Sequence, residues 1–321
     1  MKWTAGLMFV TLTIGCSGSP DVASPTGPAP LGSIGPNATT EPANATASEA
    51  RGVIRVPGDY STIQAAVNAA EPGAKIQVAS GIYCEHVLIT KSNLQLQSPP
   101  GASVVITGDC PAVNRLDAGI QVMNAQNVEV RGFIVEYFEW GIQLVNTTGS
   151  RVHLNEARHN TTVPRAGVNP ASRGVGIQIQ ASSFNLVSQN DLHDNGRNGV
   201  NIWGLSAAPS NGNVVRANRL KDNNLEGAAT NSACNLMVNG YAADNTIAEN
   251  EVLGTYGVGI MIGPGSVPGA VTANRFEQNR VHGFGGPGIT AQGGGATDNV
   301  IEQNDARGNG LNFASPRNVD L

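Results

Sequence analysis

One six-residue pattern recurs through the second half of this chain: Asn, any residue, an apolar residue, any two residues, Asn. It occurs as NLVSQN (185–190), NVVRAN (213–218), NTIAEN (245–250), NRFEQN (274–279) and NVIEQN (299–304), with the variant SRVHLN at 150–155. The closing asparagines are 35, 28, 32, 29 and 25 residues apart. Between the copies lies a second pattern of Gly, apolar, polar, apolar: GIQV (119–122), GIQL (141–144), GIQI (176–179), GVNI (199–202), GIMI (259–262) and GITA (288–291), with CNLMV (234–238) in the same place once. A period of a few tens of residues marks a solenoid or an array. The polar–apolar alternation has period two, which specifies strands. Short strands, Gly and Asn between them and no helical stretch predict an all-β fold, a single parallel β-helix. Inward Ile, Val and Leu would stack into one core. The asparagines are expected at the corners in left-handed backbone, bonded amide to amide along a column.

The stretch QNDLHDNGRNG (189–199) is therefore a rung before it is a catalytic cluster. Asn190 is the ladder residue, Leu192 points inward, and Asp191 and His193 point outward. The same offsets give Glu156 and Arg158, Arg219 and Lys221, Glu251 and Leu253, Arg280 and His282, and Asp305 and Arg307. Asp194, Asn195, Arg197 and Asn198 fall in the turn that follows.

Residues 53–108 differ from the repeat. Ser61 followed by Gln64 predicts a capping box. Ile63, Ala66, Val67 and Ala70 form one apolar face, and Pro72-Gly73 ends the helix. Such a helix suits the open end of a solenoid, which otherwise exposes strand edges and core. VPGDYSTIQAAVNAA followed by AKIQVASGIYCEHVLI resembles the start of the pectin lyase-like superfamily, as in pectin methylesterases and bacterial parallel β-helix repeat proteins. With the coil repeats the resemblance covers roughly residues 52–310. It implies a right-handed β-helix with a helical cap that binds or acts on polysaccharide. It carries over no catalytic set. There is no Asp-bearing motif of the methylesterases after the cap, no Asp-Asp pair or Gly-His-Gly of the polygalacturonases, and no Asp-Pro-His of the mannuronan epimerases; VHGFGG (281–286) is a near miss.

The first 16 residues, MKWTAGLMFVTLTIGC, read as a signal peptide. Cys16 after Gly15 resembles a bacterial lipobox, with Thr13 where Leu is usual, and implies lipidation of Cys16. The alternative is an ordinary secretory signal. Either reading exports the chain to the cell envelope, periplasmic or extracellular. Residues 17–50, rich in Ser, Pro, Ala and Thr, read as a disordered tether. The β-helix is expected over 51–315, with a tail at 316–321. The Asn-Ala-Thr triplets at Asn37 and Asn44 are discounted as glycosylation sites beside a lipobox. Cys84 and Cys110 lie 26 residues apart, about one coil; a disulfide and two buried thiols both remain open, and Cys234 has no evident partner. With 13% charged residues and a formal net charge of -5, the electrostatic footprint of a nucleic-acid binder is missing. A monomer is expected.

Two faces are chemically interesting. One stacks Glu156, Arg158, Asp191, His193, Arg219 and Lys221 on three successive coils. A lyase of acidic polysaccharide needs a cation for the uronate carboxylate, which Arg158 or Arg219 would supply. It also needs a base for the adjacent proton, a role for Lys221 or His193. Like charges in the column Arg158–His193–Lys221 would lower the pKa values of the last two. Glu156 and Asp191 are the pair a glycosidase would use. The competing reading is a solvated face of offsetting charges. The other face is uncharged: Gln121, Gln143, Gln178 and Asn201, then Met237, Met261 and Thr290. Trp203 and EYFEW (136–140) lie at its edges. Gln143, Gln178, Asn201 and Trp203 are the candidate substrate-binding residues, unless the amides only extend ladders. Insertions at 161–173 (with Arg165 and Arg173), 205–212, 223–233 and 264–270 would line one side. No resident metal is expected, since His153, His159 and His193 do not obviously converge. Calcium at 190–198 and a copper-handling role are the remote alternatives. A non-catalytic scaffold or adhesion protein is the second functional class.

Overall fold

The computed structural model describes residues 52–115, 117–160, 174–225, 234–263, 271–292 and 296–314. The expected signal peptide with Cys16, the tether, the tail, Arg165 and Arg173, and the segments 161–173, 226–233 and 264–270 lie outside the described residues.

Each coil runs through three parallel sheets of ten, eight and nine strands. A typical coil has Arg151–His153 in the ten-stranded sheet, Glu156–Arg158 in the eight-stranded sheet and Val175–Gln180 in the nine-stranded sheet. The next coil begins at Leu186–Ser188, directly above Arg151–His153. Alternate residues point into the coil, so the register stacks like on like. Ala157, Leu192, Leu220, Val252 and Val281 form one inward column and are fully buried.

Asparagines fill the corners from the inside. The closing residues Asn155, Asn190, Asn218, Asn250, Asn279 and Asn304 form one ladder with amide–amide distances of 2.9–3.1 Å. The opening residues Asn185, Asn213, Asn245, Asn274 and Asn299 form a second. At Asn218, Oδ1 accepts from the backbone N–H and Nδ2 of Asn190, at 3.0 and 2.9 Å. Its Nδ2 donates to the Val187 carbonyl and to Asn250 Oδ1, both at 3.0 Å. Buried amides thus replace the backbone partners that the bend takes away.

Three expectations are corrected here. The left-handed residue at a corner is not the ladder asparagine but the residue before it. Phe184, Gln189, Ala217, Glu249, Ala273, Gln278, Asp298 and Gln303 have φ of 54° to 58°. Each such non-Gly residue costs about 1–2 kcal/mol, offset by the ladder bonds it permits. Next, Asn195 is not a free turn residue. With Asn160 and Asn223 it forms a third ladder at the corner between the eight- and nine-stranded sheets (3.0 and 2.7 Å), which continues onto Asn235. Finally, Phe138 of EYFEW is fully buried in the core, and its N–H donates to Asn160.

The helix Ile63–Ala69 covers the first coil through Ile63, Ala66 and Val67. Its cap is Thr62, not Ser61: Thr62 Oγ1 accepts from the Ala65 N–H at 3.1 Å. Gln64 does not close a capping box. Its side chain bonds both the N–H and the carbonyl of Leu88 and ties the helix to the strand Val87–Ile89. The Glu85 carboxylate instead accepts from the Ile63 and Gln64 N–H groups, at 2.9 and 2.8 Å. Cys84 and Cys110 are joined in a disulfide, Cα–Cα 5.9 Å, and Cys234 is buried beside Asn198.

Candidate functional site

On the eight-stranded sheet the register stacks Glu156, Asp191, Arg219, Glu251 and Arg280 in one outward column, and Arg158, His193, Lys221, Leu253 and His282 in the next. The six expected residues therefore share one flat face on neighbouring coils.

Their contacts differ from the expectation of crowded like charges. Arg158 donates to Glu136 at 2.9 Å and to Glu156 at 2.6 Å. Burial alone would lower its pKa; the hydrogen bonds and negative charge of Glu136 and Glu156 outweigh that and raise it. His193 is held from both sides, with Nδ1 2.7 Å from Asp194 and Nε2 3.2 Å from Glu156. Arg219 lies between Asp191 at 3.2 Å and Glu251 at 3.6 Å. Lys221 has a looser partner, Asp222, at 3.5 Å, and its side chain is 47% exposed. Carboxylates, not like charges, are what each cation faces. Arg158 is in consequence a strut between two acids rather than a hand free for a uronate.

The sequence pattern gave no charge-pairing role to Glu136 or Asp222 and left Asp194 as a turn residue. Asp194 and Asp222 occupy the left-handed corner position after the strand, with φ of 53° and 47°. Asp tolerates that backbone, and the preference was the signal available for them. The same corner holds Tyr137 and His159, at φ 63° and 50°. Their rings stack at 5.7 Å, and His159 meets His193 edge-on at 6.3 Å. His153 is elsewhere, on the ten-stranded sheet against Glu129 at 2.7 Å. No group of three or more potential metal ligands occurs among the described residues. In 190–198, Asn190 and Asn195 use their amides in ladders, Asp191 holds Arg219 and Asp194 holds His193.

On the nine-stranded sheet Gln121, Gln143, Gln178 and Asn201 stack in register as expected. Asn201 bonds to Gln178 along the column at 3.0 Å, and Asn239, which stacks over Trp203 in the neighbouring column, reaches across to Asn201 at 3.1 Å. Gln143 and Gln178 are buried, so the amides that reach the surface are fewer than the pattern implies. Met237 and Met261 are buried too, with Cys234 and Val258. Trp203 is half-buried and lies along Gly240, where an added Cβ would fall 2.8 Å from its ring.

A family model described as right handed beta helix region matches residues 44–215 and 172–319. No curated protein matches the sequence. Among solved structures, the chain is similar to an alginate lyase from Paenibacillus sp. str. FPU-7, with 13% identity and a TM-score of 0.58 over 84% of this chain and 99% of that one. It is similar to ORF18 of Geobacillus virus E2, with 13% identity and a TM-score of 0.56 over 84% of this chain and 61% of that one. It is also similar to the pectate lyase Pel9A, with 14% identity and a TM-score of 0.52 over 84% and 77%. At these identities the likeness is one of fold.

Proposed function

Because the chain belongs to the right-handed β-helix family, we propose that it engages an acidic polysaccharide on the outer face of the eight-stranded sheet. In this reading it is exported and held at the cell envelope through lipid on Cys16. The observation that carries the reading is the column His193–Lys221 beside Asp191–Arg219, in register on adjacent coils. Sugar chains are long and flat, and this face offers them a cation and an imidazole at a repeat of about 4.8 Å. The fold also supports an alginate lyase and a pectate lyase, which makes the substrate class a natural first test.

A second reading adds turnover, favoured by Lys221, which is nearly half exposed and loosely paired. Lys221 would take the proton beside the uronate carboxylate and Arg219 would face that carboxylate. The glycosidic C–O bond would break as the carbon–carbon double bond forms, and the departing oxygen would take up a proton. Both readings are tested with short oligouronates from alginate and polygalacturonate. The His193 proton resonance should shift on addition, and Lys221→Ala should abolish the shift. Ultraviolet absorbance of an unsaturated product would establish turnover. A silent His193 with every oligouronate overturns the site. Turnover that survives Lys221→Ala with His193→Ala overturns the assignment of the base.

A further inference from the structure

The outer face of the ten-stranded sheet carries a different balance of charge. Its outward columns run Glu129, Arg151, Leu186, Val214 and Arg131, His153, Ser188, Arg216 over four consecutive coils. Glu129 is held by His153 at 2.7 Å. Arg131, Arg151 and Arg216 have no carboxylate partner among the described residues, and the last two are exposed. Every acid on the eight-stranded face that could pair with a cation does so; here the guanidiniums are left over.

Beside them lies an apolar strip. Leu186 and Val214 are adjacent, half-buried and outward. At the corner of the same coil Phe184 is 69% exposed. The other coils place Asn127, Gly149, Gly212, Asp244, Ala273 or Asp298 at that left-handed corner. Phe184 is thus a large ring where the backbone favours a small or polar residue. It lies over the next coil at Gly212, where an added Cβ would sit 2.6 Å from the ring. The glycine makes the space the ring occupies, so Phe184 is seated rather than splayed.

We propose that this face is a binding strip for an acidic polysaccharide, separate from the His193–Lys221 face. Arg151 and Arg216 take carboxylates, and Phe184 with Leu186 and Val214 takes the apolar faces of the sugar rings. Arg151 and Arg216 are two coils apart, roughly 10 Å, about the length of two sugars, so alternate charged sugars of one chain meet the two arginines. Phosphate-bearing lipid would also favour free arginines, but a flat ring flanked by single guanidiniums fits a linear chain of charged rings better. The inference shares its ligand class with the function proposed above and stands on other residues.

The test uses the full chain and long polymers: alginate and polygalacturonate, neutral dextran, and anionic phospholipid vesicles. The chain should bind the acidic polymers, more weakly as salt rises, should not bind dextran, and should show no vesicle binding that depends on the arginines. Arg151→Ala with Arg216→Ala should weaken binding about tenfold, and Phe184→Asn roughly threefold. Asn suits the left-handed corner, so the second variant keeps the fold, which a thermal melt verifies. The roughly tenfold loss in the arginine variant should be the same in a Lys221→Ala background, because the two faces bind independently. Wild-type affinity in the arginine double variant, equal binding of dextran, or arginine-dependent binding of vesicles alone would each overturn the strip. If the His193 resonance stays silent while polymer binding still falls in the arginine variant, the eight-stranded site fails and the strip stands.

Discussion

The interior and exterior of one corner obey the same register and opposite chemistry. Inside, Asn190 and Asn218 are buried with their amides matched at 2.9 Å. One residue further along, Asp191 and Arg219 stack on the same two coils, exposed, at 3.2 Å. The inner contact is closed off from bulk solvent, so a lost partner is costly to replace. The outer contact is wet, and solvent screens what it gains. Order along the column is therefore secured from inside, which leaves the outer residues free to vary in sign from coil to coil.

The comparison breaks most plainly at the ladder. Asn218→Ala should cost about 3 kcal/mol in chemical denaturation, because it orphans the Asn190 N–H and the Val187 carbonyl inside the protein. A cost below about 1 kcal/mol would mean that the corner relaxes to find other partners. Next in size is Arg158→Gln, which leaves Glu136 and Glu156 facing each other without their cation. About 1 kcal/mol is expected, read in the same denaturation series. Lys221→Ala should change stability by less than about 0.5 kcal/mol while removing the ligand response of His193. The smallest effect concerns acid. The hydrogen bond from Arg307 draws Asp305 from 3.8 down to about 2. A depressed carboxylate stabilises the fold above its unfolded pKa and loses that contribution as pH falls through the folded one. Arg307→Ala should therefore fall slightly below the parent in melting temperature above pH 4, with the gap closing toward pH 2. A gap that widens in acid would reverse the sign.

Most of the register was legible in the sequence, because one spacing recurs and the ladder residues bracket each strand. Asn155, Asn190, Asn218 and Asn250 do align, and so do Asp191 over Glu156 and Lys221 over His193. What eluded the sequence was choice among equals. Arg158 has carboxylates on its own coil and on the one before, and only side-chain geometry shows that it takes both. Glu85 escaped for a related reason: it satisfies a helix N–H group from 22 positions away in the chain. The third ladder keeps the spacing of the first, each member five residues after a closing asparagine, and escaped because it stops after three coils, where Thr255 and Phe284 take the position.

The stacked corners also make the molecule's length adjustable. Excising 191–218 would join Asn190 to Arg219 at an equivalent rung, because the closing asparagine recurs there at the same structural position. The shortened chain would bring Arg219 next to Glu156 and Lys221 next to Arg158. Gene duplication or deletion of a single turn would thus recombine surface chemistry while the interior stays as it was, a route by which such proteins can acquire new specificities without redesigning their fold.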